Sequence, residues 1–113
     1  MSKTTQKQLA FYKLWKSKRG KNWDEYLPTW LFVGEIYVKA LNEWHLMSYK
    51  CPTRLTDIYQ ENPDLLERTL ITGKSGAHYY GYRVRNGATI EDIRDPKLRA
   101  YYETLKANEH LED

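Results

Sequence analysis

Three histidines, one cysteine and a Gly-Lys-Ser triplet are the residues from which chemistry would have to be built. His45, His78 and His110 are scattered and share no spacing typical of metal ligands. Cys51 precedes Pro52 at an expected helix start, where the helix dipole would lower a thiol pKa. It has no nameable catalytic partner, so a structural cysteine is the favoured reading. Gly73-Lys74-Ser75 invites a phosphate loop, but that pattern needs a glycine five residues before Gly73, where Arg68 stands. It also needs a following helix, where this chain has Tyr80-Gly81-Tyr82. The phosphate loop is rejected, and Lys74 is left as a point charge able to meet a phosphate. The carboxylates Asp24/Glu25 and Glu91/Asp92 are adjacent in sequence and surface-like. With no nucleophile–base or acid–base pair, the expectation is a non-enzyme that uses no metal and no cofactor.

Charge is distributed unevenly around a formal net value of +3. Lys3, Lys7, Lys13, Lys16, Lys18, Arg19 and Lys21 fall in the first 22 residues, which hold no acid. The last stretch, from Gly87, is rich in Asp and Glu. A basic arm suits a polyanion, because each neutralised phosphate releases condensed counterions. A solvated, soluble face is the competing explanation. No apolar run approaches the roughly 20 residues of a membrane span. The N-terminus lacks the apolar core of a signal peptide. One cysteine cannot form an internal disulfide. One cytoplasmic domain with no membrane association is expected.

The elements that would position these residues follow from pattern. Residues 6–18 predict a helix with a broad apolar face of Leu9, Phe11, Tyr12, Leu14 and Trp15. Trp23, Tyr26 and Leu27 lie in a connection ended by Pro28. Residues 30–46 predict the strongest helix, with Val33, Ile36, Tyr37, Ala40, Leu41 and Trp44 at i, i+3, i+4 spacing. The β-branched residues at its front leave a short strand at residues 30–33 as an alternative. After a turn at residues 47–51, residues 52–61 predict a short helix with Pro52 at its first position. Pro63 interrupts the chain, and two strands follow, 65–72 and 77–85, joined by Gly73–Gly76. A plain loop pairs Leu65 with Val84, whereas a bulge pairs Leu66 with Val84 and Leu70 with Tyr80. Tyr80 and Tyr82 are assigned to the core. Thr89 and Asp92 form a capping box for one turn, and Asp95-Pro96 starts a last helix. Its stripe of Leu98, Tyr101, Tyr102 and Leu105 suits packing on the domain or on a second copy, which makes a homodimer conceivable.

An amphipathic helix, a turn, a helix beginning Pro52-Thr53-Arg54-Leu55 and a hairpin ending Tyr80-Gly81-Tyr82-Arg83-Val84 together resemble small winged helix-turn-helix proteins of phages and other mobile elements. The resemblance covers about residues 30–85. It implies an α+β, mainly helical fold: a winged helix-turn-helix with a two-stranded β-hairpin wing and extra N- and C-terminal helices. Residues 1–28 would be a basic helical arm packing on the domain, 29–86 the core, and 87–113 a helical extension with a frayed acidic end. Pro52–Glu61 would be the recognition helix and Gly73–Gly76 the wing tip.

Two functions follow from this resemblance. The first is binding of double-stranded DNA, in the regulation of transcription or replication. Thr53, Arg54, Thr56, Asp57 and Gln60 would enter the major groove. Lys50, Lys74, Arg83 and Arg85 would hold phosphate or enter the minor groove, with Ser75 beside Lys74 at the wing tip, and Lys16, Lys18, Arg19 and Lys21 would add nonspecific affinity. The second is a protein-binding module that docks on a host protein. The many aromatics and the acids Asp57 and Glu61 on the proposed recognition helix favour it.

Overall fold

A helix that is apolar around most of its circumference must be enclosed, and helix α1 (Gln6–Lys18) forms the centre of the molecule. Leu9, Ala10, Phe11, Tyr12, Leu14 and Trp15 are all buried. A computed structural model describes residues 4–18 and 26–109. Around α1 it places β1 (Leu27–Pro28), β2 (Gly34–Val38), β3 (Glu43–Met47), α2 (Cys51–Glu61), β4 (Leu66–Thr72), β5 (His78–Val84) and α3 (Pro96–Glu109). The Trp15 ring lies 5.5 Å from that of Phe11 and 5.1 Å from that of Tyr102 on α3. The α3 residues Leu98, Tyr102 and Leu105 are buried within this one chain.

The expected helix over residues 30–46 is absent, and this corrects the mainly helical winged helix-turn-helix reading. Residues 34–47 form an antiparallel hairpin, β2–β3, with Gly34 opposite Met47 and Tyr37 opposite Trp44. The described fold is α+β, with a three-stranded sheet in the order β1-β5-β4 and a separate two-stranded sheet, β2-β3. The physical reason is local. Ile36, Tyr37, Val38 and Trp44 prefer a pleated, half-buried surface. Gly34 has φ 101° and Asn42 φ 53°, values outside a right-handed helix. Asn42 ends the single turn of 3-10 helix, Lys39–Leu41, that reverses the chain. Spacing that reads as a helical stripe also alternates, placing Ile36 and Val38 inward and Tyr37 outward. The alternative strand start at residue 30 is not observed either, since Thr29–Leu31 form a 3-10 turn.

The β4–β5 hairpin takes the bulged register, with Leu66 opposite Val84 and Leu70 opposite Tyr80. The Gly73 N–H donates to the Ala77 carbonyl at 2.8 Å, and the Gly76 N–H donates to the Gly73 carbonyl at 3.0 Å. Gly76 has φ 84°. This is a type I turn followed by a left-handed residue, which needs glycine and adds the extra residue of a bulge. β1 pairs with β5, and a Cβ on Gly81 would fall 2.6 Å from Ile71 Cδ1 and 2.9 Å from Tyr26 Cβ. Only glycine lets these layers meet.

Two polar devices lock the helices. Asn62 is fully buried after α2. Its Nδ2 donates to the Ile58 carbonyl at 3.0 Å, while its Oδ1 accepts from the backbone N–H of Arg94 at 2.6 Å and of Asp95 at 3.1 Å. Lys7 on α1 pairs with Glu61 on α2 at 2.7 Å and with Asp95, which precedes α3, at 2.8 Å. Burial pulls the Lys7 ammonium down, but its hydrogen bonds to Asp95 and Glu61 raise it overall above the usual lysine value. Burial pushes the Asp95 carboxyl up, but the Lys7 contact and the Lys97 N–H hold it below the usual range.

Candidate nucleic-acid interface

Helix α2 begins at Cys51, with Pro52 in its first turn, and turns Cys51, Leu55 and Ile58 into the core. Its other side stays polar, with Thr53 and Gln60 exposed and Lys50 exposed just before it. Of the residues expected to read DNA, Thr53, Arg54, Thr56, Asp57 and Gln60 therefore lie on one short helix, but not all are free. Arg54 Nη1 pairs with Asp57 at 3.2 Å. Thr56 Oγ1 lies 3.3 Å from the Tyr82 hydroxyl and faces the sheet. Both acids on this helix are paired, Asp57 with Arg54 and Glu61 with Lys7, which Glu61 shares with Asp95.

The hairpin residues divide. Lys74 and Ser75 are exposed in the β4–β5 turn. Arg83 donates to Glu67 at 2.8 Å and lies 4.3 Å from the centre of the Tyr26 ring. Arg85 donates to Glu67 at 3.2 Å and to the Leu66 carbonyl at 3.4 Å. These two arginines brace the hairpin's own strands, so they are not brought together with Lys74. On α1, Lys16 is exposed and lies 5.3 Å from the Tyr12 ring centre. Together with Tyr12, Lys13, Ser17, Ile36 and Tyr37 it lines a groove of about 310 Å³ between α1 and β2. The Lys18 side chain, Arg19, Lys21, Trp23 and His110 lie outside the described residues.

Pattern reading missed Arg68. Its guanidinium lies 4.5 Å from the ring centre of Tyr59 on α2 and 4.3 Å from that of Tyr80 on β5. Its Nη1 donates to the Tyr82 hydroxyl at 3.4 Å. That hydrogen bond moves the guanidinium further above its ordinary value. The only available signal was alternation, which puts Arg68, Tyr80 and Tyr82 on one face once the bulged register is chosen. Tyr82 is core as expected, but Tyr80 is 41% exposed and contributes a face to Arg68 instead.

Outside this region, Cys51 is fully buried, and burial pushes its thiol up to about 11. At neutral pH it is a packed thiol with almost no thiolate. No group of three or more His, Cys, Asp or Glu side chains among the described residues could hold a metal ion. No helix among them is long and apolar enough to cross a membrane. No protein-family model, curated protein or solved structure matches the chain.

Proposed function

We propose that this chain binds double-stranded DNA, with α2 facing the major groove and the β4–β5 turn reaching the backbone. One observation carries the reading. α2 is anchored by its apolar side, leaves Lys50, Thr53 and Gln60 open, and leads straight into a hairpin with Lys74 at its exposed turn. The major groove, about 12 Å wide, admits an α-helix. Each acid of α2 has a cationic partner within the protein, Asp57 in Arg54 and Glu61 in Lys7, which also pairs with Asp95. The Arg54–Asp57 pair is partly exposed and worth about 1 kcal/mol or less, so Arg54 can exchange Asp57 for a base edge or a phosphate, which frees Asp57 to accept from cytosine N4. Regulation of transcription or replication is the role such binding would serve.

The test is fluorescence anisotropy with labelled duplexes at about 50 and 200 mM salt. Affinity should fall steeply between the two. Lys74→Ala should weaken every sequence alike, whereas Arg54→Ala should change which sequence is preferred. Undetectable binding at the lower salt, or binding indifferent to salt, would end the reading.

A second reading, docking on a protein partner, is favoured by a different surface. The outward face of β2–β3 carries Tyr37, Trp44 and Leu46, the last two 67% and 63% exposed. Exposed apolar clusters of this kind mark interaction sites, and Trp and Tyr are common anchors. A partner recovered in stoichiometric amount after nuclease treatment, and lost with Trp44→Ser/Leu46→Ser, would establish it.

A further inference from the structure

We propose that Arg68 is a prepared phosphate-binding residue, and that in the DNA complex it takes a non-bridging oxygen of the backbone. The inference rests on the DNA-binding reading for its ligand, but the argument for the site is internal to the protein. Every other described arginine is tied to an acceptor. Arg54 has Asp57, Arg83 and Arg85 have Glu67, and Arg94 has Asp64. Arg99 donates to the Ile93 and Glu91 carbonyls. Among the described residues Arg68 alone has neither a carboxylate nor a carbonyl, and its one acceptor is the Tyr82 hydroxyl.

The surroundings of Arg68 hold the guanidinium without cancelling its charge. The rings of Tyr59 and Tyr80 attract a cation through their quadrupoles, which leaves the net charge intact. Tyr82 is itself buried and placed by Thr56. A long, flexible side chain is thereby fixed at the junction of α2 with the hairpin before any ligand arrives, which lowers the entropy cost of binding. With aromatic rings against the guanidinium, its remaining in-plane N–H donors are the groups left for a ligand. In-plane donation to a tetrahedral oxyanion is what guanidinium does better than ammonium. The tyrosines are positioning residues; Arg68 makes the contact.

Two measurements test this and separate its failure from that of the DNA reading. The first follows the Arg68 side-chain Nε–H resonance of the full chain while inorganic phosphate is added. The resonance should shift in the wild type and in Tyr80→Phe, which keeps the ring, and should not shift in Tyr80→Leu. The second measures duplex affinity against salt. Arg68→Ala should lose about tenfold for every sequence and reduce the salt slope by about one, with Arg68→Lys recovering only part. Circular dichroism checks that each variant is folded.

An unmoved Arg68 resonance, together with wild-type affinity and slope for Arg68→Ala, overturns the proposal while leaving DNA binding standing. A change of base preference in Arg68→Ala overturns it in favour of a base contact. A phosphate-dependent shift at Arg68 in a protein that binds no duplex keeps the phosphate site and ends the DNA reading.

Discussion

On one side of the molecule β4 and β5 are braced from both faces. Arg68 and Tyr82 reach toward α2, while Glu67 holds Arg83 and Arg85 on the opposite face. On the other side β2 and β3 are braced from one face only. Val38 and Met47 are buried beneath the sheet, and Tyr37, Trp44 and Leu46 stand in solvent above it. The two hairpins differ in surface chemistry, although Leu70 on β4 is exposed too. The first places polar and cationic groups on a stiff frame, which suits contact with a charged, regular ligand. The second keeps apolar area in water at about 25 cal/mol per Å², a cost that only a covering surface would recover. The two surfaces come from different sheets.

The largest way to break this contrast is to loosen the frame under α2. Asn62→Ala removes the acceptor of two partly buried backbone N–H groups. Urea unfolding should show a loss of about 2–4 kcal/mol, since each orphaned group costs about 1–3. A loss below about 1 kcal/mol would mean that residues 93–95 are not held through Asn62.

A smaller effect is expected from Lys7→Met, about 1–2 kcal/mol at pH 7, because Lys7 and Asp95 are only partly buried. Its pH dependence sharpens the test. The Asp95 value is depressed when folded, so its contribution is complete above its unfolded value, near 3.8, and lost as pH falls through the folded one. The Lys7 value is raised, so its contribution is complete below its unfolded value, near 10.5, and lost as pH rises through the folded one. The wild type should therefore gain its largest advantage over Lys7→Met between these limits. Equal losses at pH 3 and pH 7 would show that the network does not act through charge.

The smallest effect on stability is expected where the surface is open. Trp44→Ser should change the free energy of unfolding by about 0.5 kcal/mol or less, as for other exposed positions. It should leave duplex affinity unchanged. A loss of more than about 1 kcal/mol would mean that Trp44, whose ring lies tilted 5.3 Å from that of Tyr37, supports the hairpin itself rather than waiting for a partner.

Some of this was legible before any coordinates. Helix α1 has the expected limits, because good helix formers run without Pro or Gly from Gln6 to Lys18. α2 begins one residue early, since Pro52 marks its first turn. The capping box at Thr89 and Asp92 is present in full. Residues 30–46 were misread because their apolar positions satisfy two periods at once, and the left-handed conformation of Gly34 cannot be seen in a hydrophobic pattern. Of the residues expected to meet DNA, those on α2 could be gathered by number alone, while the pairing of Arg83 and Arg85 with Glu67 is visible only once the strands are in register.

Sequence by itself determined the elements whose signals are local: the apolar α1, the proline-started α2, and the glycine-bounded turn between β4 and β5, whose register only the structure fixed. Tertiary structure decided which charges remain available. Arg68 and Arg83 are the same residue type in neighbouring strands. They differ because one meets three tyrosines from α2 and β5, and the other meets a glutamate across the ladder. Charge compensation depends on which side chains arrive from elsewhere in the chain, and local pattern carries no record of that.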